Sequence, residues 1–226
     1  MQLENITKRL KSGLRRGYDD ACGTAHGLEL IGERWALLVL RELLLGPRRF
    51  SELRVDLPGI SANVLTQRLI ELEARGLLRK VRLPPPASVQ VYEATEWGLE
   101  AEPLIQTLGR WAARSPAHDP TLPLSGVSMM LSLRTMIDAG RARGVAGRLG
   151  FRFGADHYVG TLAGGQFDVA RGPDDGCDAI FTCAPTALAA VIYGGAPLDT
   201  VAVEGNEALA GKFVTLFPLP PKVEAS

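Results

Sequence analysis

The sequence predicts two domains of unlike class, a mainly α domain followed by an α+β domain with a mostly antiparallel sheet around a smaller core. Three observations predict it. From Cys22 to about Arg114 leucines recur at helical spacing. After Gly144 the chain turns glycine-rich and strand-like, and of its 25 glycines 10 lie before a cut after His118 and 15 beyond it. The join itself, Ser115-Pro-Ala-His-Asp-Pro-Thr-Leu-Pro123, carries three prolines, which lack backbone donors and resist helix. With 226 residues, either part has enough chain to bury a core. The expected division is a basic arm over 1–17, a first domain over 18–114, a proline-rich linker over 115–127, a second domain over 128–220 and a tail over 221–226.

In the first domain, Ala25 to Ile31 places Leu28 and Ile31 on one helical face, and Arg34 to Leu45 continues as a leucine-rich helix stopped by Gly46-Pro47. Phe50 to Leu57 reads as a short helix ending before Pro58-Gly59. Ser61 opens the next, Ser61 to Arg75, which Gly76 ends because glycine tolerates a left-handed cap. Helix, tight Pro-Gly turn, helix is a helix-turn-helix. Leu77 to Leu83 and Val89 to Thr95 have strand length and flank Pro84-Pro85-Pro86-Ala87-Ser88, so they predict a hairpin beside the third helix. The whole is a winged helix-turn-helix. Glu96 to Ala113 returns to helix, with Leu104, Leu108 and Trp111 forming an apolar stripe that a small core leaves uncovered. A matching helix of a second subunit is the natural cover, which predicts a homodimer.

On a helical wheel Leu65, Leu69 and Leu72 share one side of the Ser61–Arg75 helix, and Asn63, Thr66 and Gln67 share the other. Asn and Gln can bond adenine edges bidentately, and Thr can bond a base or touch a thymine methyl. The face reads either as ordinary solvated polar surface or as a DNA-reading surface; the preceding turn and the following hairpin favour the second. Ser61 and Arg68 lie on the same helix, Arg48 and Arg49 precede the helix-turn-helix, and Lys80 and Arg82 lie with Arg79 in the first wing strand, so cations stand where phosphates pass. Lys8, Arg9, Lys11, Arg15 and Arg16 add a basic arm, read as a solvated tail or a DNA or dimer contact.

The formal net charge is zero, from 25 basic and 25 acidic residues, which excludes polybasic attachment to nucleic acid. The balance hides an asymmetry: 17 basic against 14 acidic residues through His118, and 8 against 11 beyond it. The sequence has no apolar run of transmembrane length and no secretory signal pattern at its start, so a cytoplasmic protein without membrane attachment is expected. Cys22, Cys177 and Cys183 are too far apart to suggest a disulfide framework or a zinc site.

Cys22-Gly-Thr-Ala-His26, Leu-Ile-Gly-Glu-Arg-Trp35, Leu-Arg-Glu-Leu-Leu-Leu-Gly-Pro-Arg-Arg-Phe-Ser-Glu-Leu53, Leu-Pro-Gly-Ile-Ser61, Val-Leu-Thr-Gln-Arg-Leu69, Glu-Leu-Glu-Ala-Arg-Gly-Leu77 and Tyr-Glu-Ala-Thr95 together resemble the HxlR-type winged-helix transcription regulators over about residues 18–114. The resemblance implies a dimer built from the first and last helices of this domain, binding of double-stranded operator DNA through the helix containing Ser61 to Arg68, and regulation of transcription. Two positions depart from the family's pattern: Ile70 stands where a basic residue is usual, and Ala87-Ser88-Val89 where the wing usually has an Arg. Cys22 matches the family's frequent N-terminal cysteine, an oxidant or electrophile sensor in some members. Its neighbours Asp19 and Asp20 oppose a reactive thiolate, so a buried structural thiol is the preferred reading over a thiol sensor.

In the second domain Ser128 to Ala139 reads as a helix, then Phe151 to Phe153, His157 to Leu162, Gln166 to Arg171 and Asp178 to Cys183 as strands, with Gly164-Gly165 a hairpin signal. Ala184 to Tyr193 is helical, Val201 to Glu204 a strand, and Asn206 to Leu216 a closing helix. This order, with Phe-Thr-Cys-Ala-Pro-Thr-Ala-Leu-Ala-Ala190, Tyr-Gly-Gly-Ala-Pro-Leu198 and Val-Glu-Gly-Asn206, is similar to the sterol-carrier-protein-like domains over about residues 128–220. That similarity implies a pocket between sheet and helices for a fatty acyl or other small apolar ligand. Met129, Met130, Met136, Phe151, Phe153, Phe181, Ile192, Phe213 and Phe217 are the candidate lining, with Ile180, Leu188 and Val191 beside them. The same residues equally describe a filled core.

No cofactor, metal site or catalytic residue is expected. Gly205 to Lys212 has the wrong spacing for a phosphate loop, His26, His118 and His157 lie far apart, and Asp174, Asp175 and Asp178 read as a turn. The sequence therefore predicts a non-enzymatic, DNA-binding regulator that responds to a small apolar ligand. The alternative is a ligand carrier whose winged helix serves for dimerisation.

Overall fold

The computed structural model describes residues 17–224; residues 1–16 of the basic arm and the last two residues of the tail lie outside the described residues. Helices α1 (Gly23–Ile31), α2 (Ala36–Leu43), α3 (Phe50–Asp56) and α4 (Ala62–Ala74) lead into a hairpin of β1 (Leu78–Arg82) and β2 (Gln90–Ala94). α5 (Glu96–Leu99) and α6 (Glu102–Ala112) complete a winged helix. α2 starts two residues later than its leucine pattern suggests, because Trp35 takes a left-handed backbone (φ 77°) that no α-helix continues. Ser61 caps α4, its Oγ accepting from Val64 N at 3.2 Å. Gly76 (φ 76°) then turns the chain into the wing.

The single helix expected over Glu96 to Ala113 is two. Thr95 caps the short α5, its Oγ1 accepting from Gly98 N at 3.0 Å. α6 restarts with Pro103 in its first turn, where the missing N–H does no harm.

Val39, Leu43, Leu53, Leu65, Leu69 and Leu72 close an aliphatic core, so the leucine face of α4 is inward as its wheel requires. The segment before α3 adds a third extended piece to the wing: Arg48 N donates to Tyr92 O at 2.9 Å and Tyr92 N donates to Arg48 O at 2.8 Å.

Past the proline-rich segment, Ser125 caps α7 (Gly126–Met136) by accepting from Ser128 N at 3.0 Å. β3 (Gly147–Phe153), β4 (Asp156–Ala163), β5 (Gln166–Arg171), β6 (Ala179–Thr182) and β7 (Ala202–Gly205) form one sheet in the order β5-β4-β3-β6-β7. Only β3 and β6 run parallel; the other neighbours are antiparallel. Gly164 and Gly165, both left-handed (φ 59° and 80°), make the tight turn between β4 and β5. α8 (Pro185–Gly194) and α9 (Glu207–Phe213, capped by Asn206) follow β6 and β7. Alternation along β4, with Tyr158, Gly160 and Leu162 buried, leaves one face of the sheet for the helices and one for water.

The two halves meet as packed surfaces. Leu44, Leu45 and Ala113 of the winged helix belong to the core of the second half. The C-terminal segment also returns to the end of α6: Val223 N donates to Arg114 O at 2.9 Å, and Lys222 Nζ donates to Ser115 O at 2.9 Å.

Candidate nucleic-acid interface and the junction beneath it

Asn63, Thr66 and Gln67 stand on α4 on the side away from the leucines, and all three are exposed. Thr66 Oγ1 donates back to Ala62 O at 2.9 Å, which leaves its methyl and its acceptor lone pairs facing out. Gln67 Nε2 donates to Glu71 Oε1 at 2.7 Å, so a bidentate contact with a base requires this exposed bond to be exchanged. Ser61 is committed to the cap. Lys80 is exposed on β1 with Arg82 beside it, and Arg49 is exposed at the start of α3, where its backbone N donates to Glu52 Oε2 at 2.7 Å.

Two of the expected phosphate-facing cations point elsewhere. Arg48 is only 5% exposed. Its guanidinium pairs with Asp56 on α3 and donates from Nη1 to Asp156 Oδ1 on β4 at 2.8 Å. The cause is local: the segment is held extended against Tyr92, and in an extended segment neighbouring side chains point to opposite faces. Arg49 therefore faces solvent and Arg48 faces the second half. Burial opposes the charge on Arg48, but its bonds to Asp156 and Asp56 outweigh it and raise the pKa further. Asp156, which also pairs with Arg171, is pushed up by burial and held below the usual carboxyl range by these two arginines, which prevail. Arg68 is likewise turned along its helix, Nη1 lying 2.7 Å from Glu71 Oε2 and 3.6 Å from Glu33 Oε2.

Cys22 is exposed, not buried, at the N-terminus of α1. Hydrogen bonds from the backbone of Thr24 and Ala25 hold its thiol below the usual pKa.

The candidate ligand residues of the second half fill space instead of lining it. Phe151 stacks on Phe181 with centroids 5.5 Å apart, Phe213 meets Phe217 edge-on at 4.8 Å, and Phe167 lies 5.3 Å from Phe213. Phe153 packs 5.9 Å from Tyr158, Met129 and Met130 are wholly buried, and Ile192 packs on the same cluster. The expected pocket between sheet and helices is thus occupied by side chains.

A cavity of about 610 Å³ lies instead where α2, α6, α7 and α8 converge beneath the proline-rich segment, and Met136 alone of the candidate ligand residues borders it. Sequence reasoning missed this place because its walls come from both halves. Ser132 and Tyr193 are two among several hydroxyl residues on these helices, so nothing local in the sequence singled them out. Beside the cavity, the wholly buried Glu42 accepts from Arg41 Nη2 at 2.6 Å and from Ser125 Oγ at 3.0 Å. Burial, with Asp56 nearby, keeps its pKa raised despite Arg41.

The profile of the HxlR-like helix-turn-helix family matches residues 30–119. The HTH-type transcriptional regulator YkvN of Bacillus subtilis (strain 168) is 42% identical over 92 residues, covering 40% of this chain and 77% of that protein. This chain belongs to the HxlR-like helix-turn-helix family. A second relative, the HTH-type transcriptional regulator YodB of the same strain, is 35% identical over 83 residues, 37% of this chain and 74% of that one. The solved reduced form of YodB from B. subtilis overlays with a TM-score of 0.39 at 30% identity, covering 44% of this chain and all (100%) of that one. The HxlR-like match ends at residue 119, so the α+β half lies outside it. Among the described residues of this HxlR-like chain, no helix is long and apolar enough to cross a membrane.

Proposed function

We propose that this HxlR-like regulator binds operator DNA as a homodimer through α4 and changes its DNA affinity when a small apolar ligand binds. The observation that carries the DNA reading is the outward, short and polar face of Asn63, Thr66 and Gln67, set on a Ser61-capped helix and flanked by Arg49, Lys80 and Arg82. These are the residue types and the helix-plus-wing placement that base-edge and phosphate contacts require. Arg48 and Arg68 are not part of this surface.

Dimerisation is supported by the outer face of α6, where Leu104 and Trp111 are 51% and 70% exposed, and by exposed Leu28 on α1. A second copy covers such a stripe better than water does. In this reading the protein works in the cytoplasm, catalyses no reaction, and regulates because its ligand distinguishes the DNA-competent state from the other.

The test is a gel shift against the DNA flanking the protein's own gene, at one fixed salt concentration. Thr66→Ala with Gln67→Ala is expected to weaken specific binding by about 1–3 kcal/mol for each base that goes unread, with non-specific binding unchanged. Full sequence preference in that double variant overturns the assigned face. No shift at any flanking site by the wild type favours the carrier alternative, in which the winged helix only dimerises.

A further inference from the structure

We propose that the cavity between the winged helix and the α+β half is the ligand site, and that it takes a neutral, largely apolar small molecule carrying one oxygen head group. This deepens the ligand-responsive reading above and rests on it for its regulatory consequence only. The cavity has the volume of ordinary small-molecule sites, about 610 Å³. Leu37 and Leu38 of α2, Ile105 and Leu108 of α6, and Leu131 of α7 supply apolar walls. Such walls attract an apolar guest because its binding removes their apolar surface from water.

The head group follows from hydroxyl arithmetic. Ser132 Oγ and Tyr193 Oη belong to residues that border the cavity, and they lie 2.7 Å apart. Two hydroxyls own two protons, and their mutual bond uses one. No other described protein acceptor takes the second, so one donor is left for an oxygen of the guest. Burial pushes the Tyr193 pKa up to about 12. The charged groups on the cavity wall already have partners: Arg41 donates from Nε and Nη2 to Glu42 Oε1, at 2.8 Å and 2.6 Å, and Asp119 Oδ1 accepts from Thr121 N and Oγ1, at 2.9 Å and 2.6 Å. A carbonyl or hydroxyl therefore fits the site better than a fully charged group.

The position makes the guest consequential. α2 runs into the helix-turn-helix, and α6 presents Leu108 to the cavity while Leu104 and Trp111 face solvent. A guest that props α6 against α2 acts on both the reading head and the surface proposed for the second copy. By linkage, DNA must change the guest's affinity by the same factor as the guest changes the DNA's.

The experiment titrates the full-length protein with 2-naphthol and, in parallel, with naphthalene, and measures operator affinity with and without 2-naphthol. The wild type is expected to bind 2-naphthol saturably, one per chain, and more tightly than naphthalene. The double variant Ser132→Ala with Tyr193→Phe, which removes the shared donor whichever hydroxyl holds it, should weaken 2-naphthol about tenfold, the worth of one hydrogen bond, and leave naphthalene within about twofold. Gly109 borders the cavity and a Cβ built there meets nothing within 4 Å, so Gly109→Leu should abolish binding of both probes with an unchanged or higher melting temperature. Should that variant fail to fold, Ala112→Leu is the second filling substitution, on the same wall. Absence of saturable binding, equal binding after filling, or binding that appears only on dilution to monomers overturns the site. Binding with the expected variant pattern but unchanged operator affinity upholds the site and overturns the ligand-responsive reading.

Discussion

The two halves solve the packing of a core in opposite ways. In the winged helix the interior is aliphatic and built from Leu43, Leu53, Leu65, Leu69 and Leu72, leaving α4 free to show water a short polar face. In the α+β half the interior is aromatic, with Phe151, Phe181, Phe213 and Phe217 locked ring against ring. Flat, interlocked rings fill the layer between sheet and helices, and a space of about 610 Å³ lies at the border, where helices from both halves meet. The difference teaches that the more aromatic half is the closed one, and that the candidate ligand space belongs to the junction.

Phe213→Ala is the most severe way to break this contrast. It removes a ring that touches Phe151, Phe167, Phe181 and Phe217 and is expected to cost about 3–5 kcal/mol in chemical unfolding. Because Leu44 and Leu45 share that core, one cooperative transition is expected, shifted as a whole. Two separated transitions would show that the halves are energetically independent.

Arg48→Ala is expected to cost less, about 1–3 kcal/mol, since it leaves Asp56 without its arginine and Asp156 with Arg171 alone. Arg49→Ala, one residue on and exposed, should cost little in stability and reduce DNA affinity instead. A stability loss for Arg49→Ala equal to that for Arg48→Ala would erase the distinction between the inward and outward arginine.

Glu42 gives the pH dependence of the junction. Its folded-state pKa is raised above the ordinary 4.5, so the folded chain holds this proton more tightly than the unfolded one does. The contribution is fully present below the ordinary value and is lost as pH rises through the folded value. Glu42→Gln should remove that loss, and unfolding measured across this range should show the variant gaining on the wild type by about 1–3 kcal/mol at the alkaline end, the usual cost of a buried unpaired polar group. Parallel curves for the two proteins would contradict the raised pKa.

The smallest effect concerns chemistry, not stability. Cys22 is exposed with a lowered pKa, so its alkylation by iodoacetamide near neutral pH is expected to outpace that of a free cysteine. A rate no faster than the free amino acid's ends the case for a sensor at this position.

Local signals carry most of the fold. The Ser61 cap, the Gly76 turn, the leucine wheel of α4 and the Gly164-Gly165 hairpin each depend on residues close in sequence, and each is where its local chemistry puts it. Side-chain direction in irregular segments is not legible in the same way. Arg48 and Arg49 are indistinguishable as text; the register against Tyr92, far along the chain, separates them. Partners such as Asp156, 108 residues from Arg48, leave no local trace either. The aromatic residues of the second half read as apolar and inward from sequence alone, but whether they enclose space depends on ring geometry that composition does not encode.

The return of Val223 to Arg114 makes the α+β half a closed loop with a single neck. Chain leaves the end of α6 at Ser115 and comes back to the same turn, tied again by Lys222 to Ser115 at a separation of 107 residues. Any shift of that half is consequently delivered to the winged helix through one pivot as well as across the Arg48–Asp156 clamp. Between those two points Ser125 also bonds Glu42 and Arg134 of α7 pairs with Glu102 of α6, so the halves are braced at several places and are expected to move as one body.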